Sequence, residues 1–377
     1  MAPNDSLPPQ GLDAGDIATQ YTRPGRLGDP NMKLFQEPRA HPKIVEVFRA
    51  FGIDGSQGSP YEGVSHEELC STAQMAKSHA QTENMYEMMP NDLPEDAQEI
   101  EVKQETITFP SFDGTERQLL VYRPAEQSGK LPAVVYIHGG GMVILNTANK
   151  VHGRWCKSMA VKGVVVIAID FRNAYDNGKH CPFPTGLNDC AAGVQYIHQH
   201  RDELQISNIV LQGESGGANL SLATALKANQ EGWISQIAGV YGAVPYISNG
   251  YGWPDSRKIR ELPSLYECDG YFLHHEQMAG MGVYYSGADA ENPLAWPYFA
   301  TIESCKGLPP HILTMDELDP LRDEGMAYYR KLLAAGVDVH AQVNLGLVHA
   351  SSLVFRQLVP EVHNKAIRDI VAFAKSL

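Results

Sequence analysis

The stretch Asn208-Ile-Val-Leu-Gln-Gly-Glu-Ser-Gly-Gly-Ala-Asn219 limits, more than any other, what this chain can fold into. Ile209, Val210 and Leu211 form an apolar run too short and too β-branched for a helix, which reads as a buried strand. Ala218 to Lys227 reads as a helix. Between them Gly213-Glu-Ser-Gly-Gly217 fits the pattern G-x-S-x-G. A strand that turns at once into a helix forces the corner residue into a strained backbone conformation. Glycine at 213 and 217 suits that turn, because a side chain at either place would collide across it. Ser215 then stands at the helix N-terminus, where N–H groups and the helix dipole favour developing negative charge. The same letters also describe a glycine-rich turn with an incidental serine, since short motifs arise by chance.

The rest of the chain alternates around this unit. Val102, Glu105, Ile107 and Phe109, a turn at Asp113-Gly114 and the run Gln118 to Tyr122 predict a β-hairpin. A buried strand follows over Ala133 to Ile137, then His138-Gly-Gly-Gly141, a helix over Asn149 to Val161 and a strand over Val164 to Ile169. A helix over Thr185 to His200 precedes the Ser215 unit, and a strand over Gln236 to Tyr241 comes after it. Later come a strand over His311 to Met315, a helix over Pro320 to Ala335 and a strand over Val339 to Asn344. A loop with His349 and a helix over Pro360 to Lys375 complete the chain. Strand alternating with helix predicts an α/β fold, a mostly parallel central sheet covered by helices on both faces.

Two stretches break the rhythm. Residues 1 to 30 are rich in Pro, Gly and Asp and read as irregular. Pro42 to Gln81 is helical in patches, with Leu69 to Ala80 following a Ser65-x-x-Glu68 capping box, and Met85 to Met89 forms a thioether cluster. This segment has too little core to stand alone and reads as a helical flap on another domain. Residues 245–300 carry Tyr246, Tyr251, Trp253, Tyr266, Tyr271, Phe272 and Met278 among glycines and prolines. That is too long for a plain connection and reads as a lid or pocket insertion. The expected division is 1–98 arm and helical cap, 99–244 first part of the α/β core, 245–300 cap insertion and 301–377 second part of the core.

A net charge of −14 and a pI near 5.4 argue against nucleic acid and anionic membrane surfaces as partners. The most apolar run, Val164 to Ile169, is far too short to span a bilayer, and no secretory signal is visible. Six scattered cysteines without C-x-x-C read as reduced thiols in a cytoplasmic protein, with no zinc site. Monomer and homodimer are equally compatible with this composition.

Acyl transfer needs an activated nucleophile, a base and donors for an oxyanion. Ser215 supplies the first. Gly140 and Gly141, directly after a strand, can present bare amides beside it, and Gly216 completes the set. One such donor is typically worth about 2.7–4 kcal/mol in the transition state. A phosphate loop is disfavoured, since G-x-x-x-x-G-K-[ST] is absent. A base belongs on the loop after the last strand, where His349 sits, with His180 as the alternative. Asp316, Asp319 and Asp323 are the candidate acids. Asp319-Pro320 also reads as a helix cap with proline at the first helical position, and a carboxylate can serve both roles. Asp323 and Arg322 read as structural ion-pair partners. His274-His275-Glu276 lacks a third ligand at useful spacing and reads as a solvated loop.

His138-Gly-Gly-Gly141, Gly213-Glu-Ser-Gly-Gly217, Asp319-Pro-Leu-Arg-Asp-Glu-Gly325 and Gly346-Leu-Val-His349 together resemble the hormone-sensitive-lipase branch of the α/β-hydrolases. The likeness runs from about Phe51 to the C-terminus. It implies a Ser215, Asp319, His349 triad, an oxyanion hole from Gly140, Gly141 and Gly216, and a cap built from the N-terminal helices and the 245–300 insertion. It departs from the family at Asp170-Phe-Arg-Asn-Ala-Tyr175 and at Ala350, where glycine is usual. The expected activity is carboxylic-ester hydrolysis through an acyl-enzyme, without metal or cofactor, on a small to medium apolar ester or a macrocyclic lactone. A non-catalytic small-molecule binder and an acyltransferase are the rival readings, and the ordered Ser, Asp and His weigh against the binder.

Overall fold

One eight-stranded sheet organises the structure, a computed structural model that describes residues 25–377. Its strands are β1 (Val102–Pro110), β2 (Glu116–Pro124), β3 (Leu131–Ile137), β4 (Val165–Asp170), β7 (Ile206–Glu214), β8 (Gly239–Ala243), β9 (His311–Asp316) and β10 (Val339–Asn344). A separate ribbon pairs β5 (Tyr175–Asp176) with β6 (Lys179–His180). The order across the sheet is β1-β2-β4-β3-β7-β8-β9-β10. β1, β2 and β4 pair antiparallel, and every pairing from β4 to β10 is parallel. Central strands such as β4 and β8 are apolar and buried on both faces, as parallel strands under two helical layers must be. The edge strand β1 is mostly exposed and carries Lys103 and Glu105, charges that discourage pairing with another chain.

Helices Lys150–Ala160 and Pro360–Ser376 pack together against β3, β4 and β7. Helices Thr185–Gln199, Gly216–Glu231 and Arg322–Ala334 form the other layer. Among the described residues no helix is long and apolar enough to cross a membrane. The six cysteines are free. The irregular arm expected over residues 1–30 lies almost wholly outside the described residues.

Several expected elements are shifted. The helix expected from Leu69 is two helices, His66–Leu69 and Thr72–Met88, because Ser71 caps a fresh start by accepting the Gln74 N–H. Met85 to Met88 is its last turn and not a separate cluster. The strand expected over Gln236 to Tyr241 begins only at Gly239, Ile234–Gln236 being a single 3-10 turn. The helix expected from Pro320 begins at Arg322.

The N-terminal helices and the 245–300 stretch meet above the sheet. A Cβ on Gly280 would lie 2.5 Å from the Leu69 carbonyl oxygen, so helix His275–Ser286 approaches helix His66–Leu69 backbone to backbone. The stretch is tied to the core by two acids of helix Arg322–Ala334. Asp323 accepts the Ser264 N–H at 2.7 Å. Glu324, fully buried, accepts the Ile247 N–H at 2.6 Å, the Tyr251 hydroxyl at 2.9 Å and the Ser248 hydroxyl.

Burial pushes Glu324 up to about 8. The folded state therefore keeps a proton that the unfolded chain has already lost, and stability from this group declines as pH rises from about 4.5 towards about 8. Glu324→Gln removes that titration. Its melting temperature relative to wild type should rise between about pH 5 and about pH 8. A difference that stays constant across this range would mean that the folded protein holds the ionised carboxylate.

Candidate active site

β7 ends at Glu214 and the next helix begins at Gly216, so Ser215 takes the whole change of direction. Its φ of +55° and ψ of −121° lie where a residue with a side chain seldom goes. Backbone bonds hold it there. The Ser215 N–H donates to the Ala243 carbonyl at 2.9 Å, and the Ser215 carbonyl accepts from Asn219 at 3.1 Å and Tyr246 at 3.2 Å. A Cβ on Gly217 would lie 1.9 Å from the Ile137 carbonyl oxygen, and one on Gly216 would lie 2.7 Å from the Gly141 nitrogen. The His138–Gly141 loop is thereby pressed against the first turn of the helix. The N–H groups of Gly140, Gly141 and Gly216 find no acceptor among the described residues. They gather at a helix N-terminus, where an anionic oxygen is favoured.

β9 and β10 are parallel neighbours, so the loops leaving them lie side by side. Asp319 sits on the first and His349 on the second. Asp319 Oδ2 lies 2.7 Å from His349 Nδ1, with Asp319 fully buried and His349 5% exposed. Asp319 Oδ1 accepts the Leu321 N–H at 2.9 Å, so the carboxylate serves a turn and an imidazole together. It is not the helix cap expected from Asp319-Pro320, because helix Arg322–Ala334 starts later. Donation from Nδ1 leaves Nε2 as the nitrogen with a free lone pair. The His349 loop is fixed by His41 N–H to the Gly346 carbonyl at 2.8 Å, and by Leu318 N–H to the Leu347 carbonyl at 2.9 Å.

The competing candidates lie elsewhere. Asp316, pushed up to about 7 by burial, accepts from the Asn344 amide at 2.9 Å and the Ser351 N–H at 3.3 Å. Arg322 pairs with Asp323 at 2.9 Å, as expected of structural partners. His180 sits exposed on β6 with Nε2 2.8 Å from the Tyr284 carbonyl, outside the cavity at Ser215. His274-His275-Glu276 is not a solvated loop, for His275 opens a helix and its Nδ1 lies 2.5 Å from Asp269 Oδ2. Asp269, His275 and Glu276 converge within 4.8 Å, but Asp269 already takes both the ring and backbone N–H groups of His275.

Ser215, His349, Gly139 to Gly141 and Glu214 line a cavity of about 230 Å³. Its apolar wall is Met85, Ile144, Leu145, Tyr246, Phe272, Met278 and Met281, and Ser78, Gln81, Thr82 and Gln277 supply polar groups. Most of the aromatics expected to line a lid do something else. Tyr251 stacks on Tyr246 at 4.4 Å, and Trp253 lies under the Arg257 guanidinium at 3.5 Å. Sequence reasoning missed Met281 and Glu214. The i, i+3 spacing of Met278 and Met281 on one helix face was the available signal for the former. Glu214 carried none beyond its place beside Ser215.

Residues 134–353 match the family described as the alpha/beta hydrolase fold. Carboxylesterase NlhH of Mycobacterium tuberculosis (strain ATCC 25618 / H37Rv) is 29% identical over 294 residues, covering 75% of this chain and 85% of that protein. Esterase LipI of the same strain is 29% identical over 248 residues, 64% of this chain and 72% of that one. Among solved structures, brefeldin A esterase, described as a bacterial homologue of human hormone-sensitive lipase, has a TM-score of 0.90 and 45% identity. That likeness covers 94% of this chain and 98% of the other. Esterase Est22 has a TM-score of 0.78 and 35% identity over 91% of this chain and 99% of its own.

The backbone approach at Gly217 makes a direct prediction. Gly217→Ala puts a methyl inside the Ile137 carbonyl, so the turn must open or the helix must move. Folded protein should be lost, or stability should fall by about 3 kcal/mol or more, read from a thermal melt. A melting temperature equal to wild type would show that the turn is far more yielding than this packing implies.

Proposed function

The chain belongs to the α/β-hydrolase family, in its hormone-sensitive-lipase branch, and is a carboxylesterase; from that premise we propose that it cleaves its ester through an acyl-enzyme on Ser215. His349 Nε2 takes the Ser215 proton as the hydroxyl attacks the carbonyl carbon. Asp319 orients the imidazole and stabilises the imidazolium. The N–H groups of Gly140, Gly141 and Gly216 receive the oxyanion. His349 then returns its proton to the leaving alcohol, and water repeats the sequence on the acyl-enzyme. The observation that carries this reading is the 2.7 Å contact between buried Asp319 and His349, on a cavity that also holds Ser215. Such a carboxylate is held in the interior by its imidazole partner.

The N-terminal helices with 245–300 form the cap in this reading, and 99–244 with 301–377 form the core. Support comes from the cavity wall, where Met85 of one cap segment and Met281 of the other face Ser215 across the same space. An apolar wall with a few polar groups suits a small to medium ester of modest oxygen content. A macrocyclic lactone is the more specific alternative, supported by the likeness to brefeldin A esterase.

Hydrolysis of nitrophenyl butyrate by wild type and Ser215→Ala tests the scheme. The variant should lose about 10⁶ in kcat, and a phosphonate should label Ser215 and nothing else in wild type. Equal rates would leave only a binding role for the cavity. Adding an alcohol acceptor separates hydrolysis from acyl transfer, and a lactone panel separates the two substrate classes. The Met281 methyl lies 2.6 Å from where a Cβ on Gly141 would be, so it bounds the space next to the scissile carbonyl. Met281→Ala should therefore raise the kcat/KM ratio of hexanoate over butyrate by about tenfold. An unchanged ratio would move the chain-length limit to another wall.

A further inference from the structure

Directly behind Ser215 lies a carboxyl group that the hydrolytic scheme does not use. Glu214, the last residue of β7, is 4% exposed. Its Oε1 accepts the Gly139 N–H at 2.6 Å and the Tyr136 hydroxyl at 3.1 Å. β3 and β7 pair as partners only as far as Ile137 and Gly213. Beyond that point the two chains diverge into the loop of Gly140 and Gly141 and the turn of Ser215. The Gly139–Glu214 bond is a polar tie between them. We propose that Glu214 is a positioning residue, whose side chain sets the Gly140 and Gly141 amides at the distance from Ser215 that a tetrahedral oxyanion needs. This rests on the reading of Ser215 as nucleophile and of those amides as the oxyanion hole.

The surroundings suit a neutral acid. Tyr136 of β3, Tyr86 of helix Thr72–Met88, and His152 and Cys156 of helix Lys150–Ala160 face Glu214. His152 Nε2 lies 3.9 Å from Oε1, and His138 stacks on the His152 ring at 4.9 Å. Burial lowers His138 to about 4 and His152 well below its ordinary value, so neither imidazole brings a cation. Burial likewise raises the phenols of Tyr86 and Tyr136 and the thiol of Cys156, which stay neutral. Burial, with no cation beside it to hold a carboxylate, pushes Glu214 up to about 8. At neutral pH it can hold Gly139 without setting a full negative charge beside the forming oxyanion. Above about pH 8 the ionised carboxylate opposes that charge.

The test uses the full chain as wild type, Glu214→Gln, Glu214→Ala and Ser215→Ala. kcat and KM for nitrophenyl butyrate are measured from about pH 6 to about pH 10, with melting temperatures in parallel. Glu214→Gln keeps an oxygen for the Gly139 N–H. Its kcat at about pH 7 should stay within about threefold of wild type, and the decline of wild type above about pH 8 should vanish. Glu214→Ala should lose about ten- to a hundredfold in kcat with KM within about threefold. An alanine variant as fast as wild type, a glutamine variant as slow as alanine, or an unchanged alkaline decline in the glutamine variant each overturns the proposal. If the alanine variant does not fold, the pH profile of the glutamine variant decides. An active Ser215→Ala would sink the triad reading itself, whereas an inactive one beside an unimpaired Glu214→Ala sinks this proposal alone.

Discussion

Backbone contact at Gly217 sets the spacing between the β7 turn and the loop after β3, and the polar features of the site follow from that spacing. Without a Cβ at 217 the first helical turn can lie directly on the Ile137 carbonyl. The strain at Ser215, of order 1–3 kcal/mol for such a conformation, is offset by backbone bonds to Ala243, Asn219 and Tyr246. Two of these partners belong to the β8 strand and the loop beyond it. The turn is therefore braced by the neighbouring strand as well as by its own helix. Unused amides, a strained serine and a carboxyl tie are all consequences of bringing two backbones this close.

The interior acids divide by how their charge is handled. Asp319 is held by hydrogen bonds from the His349 ring at 2.7 Å and the Leu321 N–H at 2.9 Å, whereas Glu37 and Glu267 are each matched by the Arg39 guanidinium at 2.8 Å, and Arg322 also reaches Glu267 at 2.8 Å. This second group joins the 37–39 segment, the insertion and the helix at Arg322 into one charged seam. Glu214, Asp316 and Glu324 are buried without a cation, and burial raises all three towards neutrality. Each accepts backbone N–H groups and so fixes a loop: Gly139, Ser351 and Ile247 respectively. A carboxyl kept neutral avoids most of the desolvation cost of an ion and still offers acceptors where chain segments must be joined.

Departures from the family pattern acquire physical meaning in the same frame. Ala350 adopts φ +55°, which explains why glycine is usual there and what alanine costs. Phe171 stacks on His138 at 4.6 Å, so an aromatic ring backs the His138–Gly141 loop. Arg172 next to it pairs with Asp189 and Asp113 at 2.7 and 2.8 Å and holds that strand end.

Local signals made much of this protein legible in advance. Apolar runs flanked by glycine and proline marked the strands of the sheet, and G-x-S-x-G marked the sharp turn, because both depend on backbone geometry within a few residues. Element boundaries slipped where caps compete, as at Ser71 and Arg322. On physical grounds Asp316, Asp319 and Asp323 were indistinguishable as letters, and only the packing of parallel neighbours β9 and β10 separates their partners. The cavity was least legible. Met85, Phe272 and Met281 come from segments nearly two hundred residues apart, and Glu214 meets Gly139 across 75 residues of chain. The sequence by itself determined the fold class and the turn at Ser215, since these rest on short-range periodicity and steric rules, and its family resemblance singled out Asp319 and His349. Only the tertiary structure shows that Asp319 touches the His349 ring and which residues wall the cavity at Ser215, because those depend on distances that no local pattern records.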